Sequence, residues 1–277
     1  MVVGIAGLGV IGGSIGLALQ RKGLASEVVG CDVDGVAATQ ALESGCCTSL
    51  VPDSSGLAGS DVVFVAVPPN AVRTVLERIE AARGANTVVT DCTSTKAKAV
   101  EWARSKPERA RWFVPGHPIA GGEGTGPAAA AADVFEGATW VLTPLGEPEP
   151  LAAVERLIAG LGAVVLQMAA DVHDRHVAVL SHLPHALAGA LVLAADGLER
   201  PGIGGGSWRD LTRVAGSNPA LWQQIFTQNR DAVLSALDAF DVALADVRAA
   251  LKHNDADALR AFFEEARLAK GRQIERP

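Results

Sequence analysis

The sequence predicts an α/β protein: a doubly wound parallel sheet over residues 1–169, followed by an all-α segment over residues 170–277. Three observations carry that expectation. Short β-branched runs alternate with helical stretches through the first two-thirds of the chain, the pattern of strand–helix–strand units. The runs Val62–Val67 and Val88–Thr90 are apolar without alternation, as strands buried on both faces are. Beyond Ala169 the strand signals stop and only helical periodicity remains.

The strands are expected at Val2–Ala6, Val28–Asp32, Asp61–Pro68, Thr87–Asp91, Trp112–Pro115, Thr139–Leu142 and Ala163–Gln167. Helical patterns lie between them at Ile15–Lys22, Val36–Ser44, Val72–Ala82 and Leu151–Leu161. In the second part, Asp171 is placed to cap a helix through His173–Ala195. Pro184 inside it removes a backbone bond, so a kink that frees the carbonyl of Leu180 is expected. A loop at Gly202–Gly206 leads to a short helix around Trp208–Ala215. Ser217-Asn218-Pro219 reads as a helix start, a cap residue followed by proline at the first helical position. From Pro219 an unbroken helix is expected to His253, with Leu234, Leu237, Phe240, Leu244, Val247 and Leu251 on one stripe. A helix of that length outruns a small domain and points to packing against a second subunit.

Composition narrows the function. With 49% hydrophobic and 20% charged residues the chain is globular rather than disordered. The net charge of −7 argues against a nucleic-acid partner. The two parts carry 12 basic against 17 acidic residues and 12 against 14, so neither hides a basic module. Cys31, Cys46, Cys47 and Cys92 form no CxxC pair or zinc spacing, and free thiols in a cytoplasmic protein are expected. No charged leader precedes the first apolar run, and no membrane-spanning stretch is expected.

Three clusters carry chemistry. Gly7-Leu8-Gly9-Val10-Ile11-Gly12 follows the first strand and opens a helix. In that setting glycines provide the tight turn, backbone access for a pyrophosphate, and close helix–strand packing. Asp32 lies 20 residues after Gly12, where a carboxylate accepts bonds from the adenosine ribose. With no arginine beside it for a 2′-phosphate, NAD is expected over NADP. Asp91-Cys92-Thr93-Ser94-Thr95-Lys96 follows the next central strand. Ser94 and Lys96 there lie beside the nicotinamide end, or Ser94 or Thr95 caps the following helix; both can hold. His117, between Gly116 and Pro118 on a loop after a strand end, suits a general base near neutral pKa.

In the helical part His182 and His185, like His173 and His176, are spaced by three residues, but no further ligand completes a metal site. Arg209 and Arg213 stand four apart, as a carboxylate- or phosphate-binding pair or as a solvated basic face.

Together these pieces resemble the prephenate and arogenate dehydrogenases of tyrosine biosynthesis. The likeness rests on the glycine motif, Asp91–Lys96, His117–Glu123, Ser181–His185 and Arg209–Trp222, in order from Gly7 to Trp222. It implies a Rossmann domain followed by a helical substrate and dimerisation domain, and a homodimer through the latter. It implies NAD held by Gly7 to Gly12, Asp32, Val67 and Pro68. His117 is then the base for the 4-hydroxyl proton, and Ser94 bonds both the histidine and that hydroxyl. Arg213 binds a substrate carboxylate; His185 and Trp222 line the pocket. Glu123, Arg209 and Asp210 form an ionic network at its mouth, partly across the dimer. Gly122 stands where relatives carry a bulkier residue, and Arg209 where some have lysine. Neither an ACT-type regulatory domain nor a chorismate mutase segment is expected.

Two rivals are weaker. A β-hydroxyacid dehydrogenase needs a helical-domain lysine, and Lys252 and Lys270 lie beyond the motifs. A non-catalytic NAD sensor has no use for His117 beside Ser94.

Overall fold

Parallel strands need both faces covered, and the two faces of this sheet are filled by different side chains. The computed structural model describes residues 1–121, 124–199 and 203–274. Its first sheet is wholly parallel, from β1 (Val2–Ala6), β2 (Glu27–Cys31), β3 (Ser49–Leu50), β4 (Val62–Val65), β5 (Val88–Asp91) and β6 (Phe113–Val114). The order is β3-β2-β1-β4-β5-β6, so strand order reverses between β1 and β4. Helices α1 (Val10–Arg21), α2 (Gly35–Glu43), α3 (Val72–Ala82) and α4 (Ala97–Arg104) connect them.

Alternation along β4 shows the layering. Val62 and Phe64 enter one core with Ile5, Ile15, Leu19, Trp140 and Ile158. Val63 and Val65 enter the other with Leu76, Ile79, Trp102, Trp112 and Phe113. Strand ends differ from expectation at β4, which stops at Val65 rather than Pro68. The Ala66 N–H still donates to the Ala6 carbonyl at 2.7 Å, and the turn at Gly7 packs against the Ala66 carbonyl.

A second sheet holds β7 (Gly116–Pro118), β8 (Thr139–Leu142) and β9 (Val164–Gln167), with α5 (Pro148–Gly160) between the last two. β7 runs antiparallel to β8, pairing His117 with Val141. His117 is therefore on a strand, not on the expected loop, and ladder bonds fix its backbone.

The helical part begins with α6 (Ala170–Val177). Asp171 does not cap it; the cap position is Ala169, and Asp171 pairs with Arg175 at 2.8 Å. Pro184 is accommodated by a π turn at Ala178–His182, where the Leu183 N–H reaches back to the Ala178 carbonyl, before α7 (Leu183–Ala194). The wide turn stands where the kink was expected. Within the helical stretch Ala170–Ala194 an 18-residue window has mean hydropathy 1.7, enough by length and composition alone to cross a membrane, which corrects the expectation that no such window exists. Buried His173, Asp174 and His182 lie within that stretch. α8 (Gly206–Thr212) and a 3₁₀ turn at Arg213–Gly216 follow. Asn218 caps α9 (Pro219–Gln228) through the N–H groups of Ala220 and Leu221, as its sequence predicts.

The unbroken helix expected from Pro219 to His253 is interrupted at Asn229 (φ −108°, ψ 27°). α10 (Arg230–His253) starts there and α11 (Ala256–Ile274), not foreseen from the sequence, follows a turn at Asn254 with φ 54°. The chain separates into two units, Met1–Arg230 and Asp231–Pro277. In the second unit Leu244, Leu251, Phe263 and Leu268 are exposed.

Candidate active site

The carboxyl ends of β1 and β4 flank the point where strand order reverses, the place where open α/β sheets bind ligands. Gly7 turns there with φ 89°, and a Cβ on it would lie 2.5 Å from the Ala66 carbonyl oxygen. A Cβ on Gly12 would lie 1.8 Å from the Gly7 oxygen, so only glycine lets α1 pack on this turn. Gly9 has nothing within 4 Å of its Cβ position, and no side chain caps α1. An open approach over uncapped N–H groups is what a pyrophosphate needs. Asp32 closes the cradle: its Oδ2 accepts from the Leu8 N–H at 2.8 Å and its Oδ1 from the Asp34 N–H at 2.9 Å. Its remaining lone pairs are available to ribose hydroxyls. These residues fit a dinucleotide.

Beyond β5, Lys96 is fully buried and does not reach the cofactor edge as expected. Its Nζ donates to Asp91, to Thr93 Oγ1 and to the Gly116 carbonyl. Asp91 Oδ1 also accepts from the Gly116 N–H at 3.1 Å. This buried pair fastens β5 to the residue before His117. Ser94 is half-buried beside it. The capping alternative for Ser94 or Thr95 does not hold. The first N–H groups of α4, on Lys96 and Ala97, are taken by the Asp174 carboxylate at 2.7 and 2.9 Å.

Asp174 belongs to a line that the sequence did not reveal. Its Oδ1 lies 2.7 Å from His173 Nδ1, and His173 Nε2 lies 2.8 Å from His117 Nδ1. Hydrogen-bond direction assigns the protons. Burial opposes ionisation of Asp174, but bonds from His173 and the two N–H groups hold its carboxyl below the usual range. An ionised carboxylate only accepts, so His173 carries hydrogen on Nδ1. When that ring carries no second proton, its Nε2 accepts from His117 Nδ1–H, and the lone pair of His117 is then on Nε2. Burial first, with the nearby Lys96 ammonium adding to it, pushes the His117 pKa well below 6.5. At neutral pH it is an uncharged base.

The expected substrate residues gather on α7, α9 and the turn after α8. His185 stacks on Trp222 with ring centroids 3.5 Å apart. Both line a cavity of about 510 Å³ with Gly189, Val214, Ser217 and Phe226. Burial, with the Arg213 charge adding to it, lowers the His185 pKa, so the guanidinium stands near this ring. Arg209 is exposed on α8, and Arg213 lies past that helix's end rather than on its face. Glu123 and Gly122 lie outside the described residues. Val67 is half-buried and Pro68 exposed at the lip after β4. Among the described residues no group of three or more His, Cys, Asp or Glu is arranged to hold a metal ion.

His173, Asp174, His182 and Asn229 are the functional candidates that sequence reasoning missed. The adjacent His173-Asp174 pair was a signal, since an acid that folding buries needs a partner.

Residues 15–167 match the prephenate dehydrogenase nucleotide-binding domain, and residues 169–265 the prephenate dehydrogenase dimerization domain. The chain is 33% identical over 273 residues to a prephenate dehydrogenase of Bacillus subtilis (strain 168), spanning 95% of this chain and 73% of that one. It is 32% identical over 219 residues to a cyclohexadienyl dehydrogenase of Zymomonas mobilis, spanning 76% and 74%. The crystal structure of prephenate dehydrogenase from Aquifex aeolicus in complex with hydroxyphenyl propionate and NAD+ superimposes with a TM-score of 0.90 at 28% identity, covering 99% and 98% of the chains. The chain belongs to the prephenate dehydrogenase family.

Proposed function

We propose that this enzyme oxidatively decarboxylates prephenate to 4-hydroxyphenylpyruvate, with NAD as its cofactor and His117 as its base. The Asp174–His173–His117 line supports the reading, because it engages His117 through Nδ1 and so leaves Nε2 for the substrate proton. NAD, when bound over Gly7 to Gly12 and Asp32, supplies the acceptor for the two electrons leaving the 4-position. His117 Nε2 takes the 4-hydroxyl proton as those electrons leave. The positive charge that develops on His117 is then shared through Nδ1–H with His173 and stabilised by ionised Asp174, the role of the acid in a catalytic triad. Loss of the ring carboxylate as carbon dioxide makes the ring aromatic. Ser94 is assigned to orient the hydroxyl and His117, and Arg213 to a substrate carboxylate through paired bonds. His185 and Trp222 supply the pocket wall, with Arg209 and Glu123 at its mouth.

An acidic protein binds a dianion when local rather than net charge faces the ligand, and Arg213 near His185 supplies it. The exposed apolar side chains of α10 and α11 support a homodimer through the helical part. A domain boundary near residue 169 agrees with the two matched ranges, although the compact units divide at Arg230. The deciding experiment measures kcat/KM for prephenate and arogenate, each with NAD and NADP. Prephenate with NAD is expected to give the largest value; preference for arogenate, or no turnover of either, overturns the assignment.

A further inference from the structure

The interruption at Asn229 is not marked by a helix-breaking residue. Gln228-Asn229-Arg230 contains neither glycine nor proline, and the apolar periodicity continues beyond it. Its side chain is buried, and its amide lies among the histidines. Nδ2 is 2.8 Å from the Asp174 carbonyl oxygen and 3.2 Å from His182 Nδ1. A carbonyl only accepts, so the atom facing it is the amide nitrogen, and this orientation is unambiguous. The second amide hydrogen then points at His182 Nδ1, which must accept it. His182 therefore carries its own proton on Nε2.

We propose that Asn229 is a positioning residue for the dehydrogenase reaction: it locks His182 as a neutral Nε2–H imidazole and pins Asp174 so that His117 stays the base. The proposal rests on the reading of His117 given above. Four ionisable groups face the His182 ring: Asp174 and His173 from α6, His185 from α7, and His117 from β7. A second protonated ring among them would repel the charge that His117 gains in the reaction. Burial pushes the His182 pKa down to about 4, which agrees with a ring kept neutral. The preceding residue extends the same anchorage, since Gln228 Oε1 accepts from Thr95 Oγ1 at 2.8 Å, next to Ser94. Breaking the helix at Asn229 turns this amide inward. Places where local rules fail are often functional.

The test is the nitrogen-15 spectrum of histidine-labelled, full-length enzyme near pH 7, with His182 assigned from a His182→Gln variant. His182 should show an unprotonated Nδ1 and a protonated Nε2. Asn229→Asp keeps the size but removes both donors, so Nδ1 of His182 should become the protonated nitrogen. Its kcat should fall by roughly 10-fold or more, with the Kd for NAD changed by less than about threefold, because the amide acts on the base rather than on the cradle. A protonated Nδ1 in the wild-type ring overturns the proposal, even if the variant does not fold. So does a folded Asn229→Asp enzyme with wild-type kcat. The wild-type spectrum does not depend on the substrate, so a wrong substrate assignment cannot be mistaken for a wrong tautomer.

Discussion

The cofactor cradle and the histidine line share one edge of the fold and are built in opposite ways. The cradle is local: Gly7 to Gly12 and Asp32 come from one strand–helix–strand unit, and its recognition groups are mostly backbone N–H. The line is assembled from distant segments, with His117 on β7, His173 and Asp174 on α6, His182 on the π turn and Asn229 after α9. Backbone recognition depends on where glycines fall, whereas proton placement depends on which side chains meet. Substitutions should separate the two, with the line governing kcat and the cradle governing cofactor affinity.

The largest expected effect is on the line. His117→Asn keeps size and some bonding but removes the base, so kcat should fall by roughly 10²- to 10⁴-fold with the Kd for NAD little changed. A wild-type rate in that variant means the proton leaves by another route. Next is Arg213→Ala, expected to raise KM for prephenate by roughly 10- to 10³-fold, as loss of charged hydrogen bonds to a carboxylate does. Arg213→Lys should recover part of this, since it restores charge but not the planar fork. A lower Tm with unchanged KM would make Arg213 a purely structural residue. On the cradle, Asp32→Ala should weaken NAD binding and narrow its advantage over NADP, which is expected to be about tenfold or more in the wild type. Equal kcat/KM for both cofactors in the wild-type enzyme contradicts the role given to Asp32.

The smallest effect is on stability. His182 has a folded pKa of about 4 against an ordinary 6.5. Between these values the unfolded chain binds more protons, so stability is unaffected above pH 6.5 and declines as pH falls toward 4. At about 1.4 kcal/mol per unit, this one ring accounts for roughly 3 kcal/mol of the decline. Urea unfolding at pH 7.5 and 4.5 should show a smaller decline in His182→Gln than in the wild type; an equal decline in both contradicts the buried neutral ring.

The same contrast explains what the sequence disclosed. The glycine turn, Asp32 and the Asn218 cap are short-range patterns, and each stands where its spacing puts it. His117 was legible as a candidate, but not its place on an antiparallel strand, because Gly-His-Pro carries turn chemistry that pairing with β8 overrides. Lys96 read as a cofactor-side group and is a buried staple, since only the fold brings Gly116 against it. His173 was dismissed for lacking metal partners, although its partner is the adjacent Asp174. The break at Asn229 was not legible, and the partners of its side-chain amide lie 47 and 55 residues away, at His182 and Asp174.

The most direct test of the histidine line is the pH dependence of kcat/KM for prephenate with saturating NAD. The base must be unprotonated to act, and burial together with the Lys96 charge holds its pKa well below 6.5. The profile should therefore stay level from pH 8 down through 6.5 and fall only below it, with that acid limb absent from the residual activity of His117→Asn. An acid limb centred at or above pH 6.5, or one that persists unchanged in His117→Asn, would contradict a neutral His117 as the base.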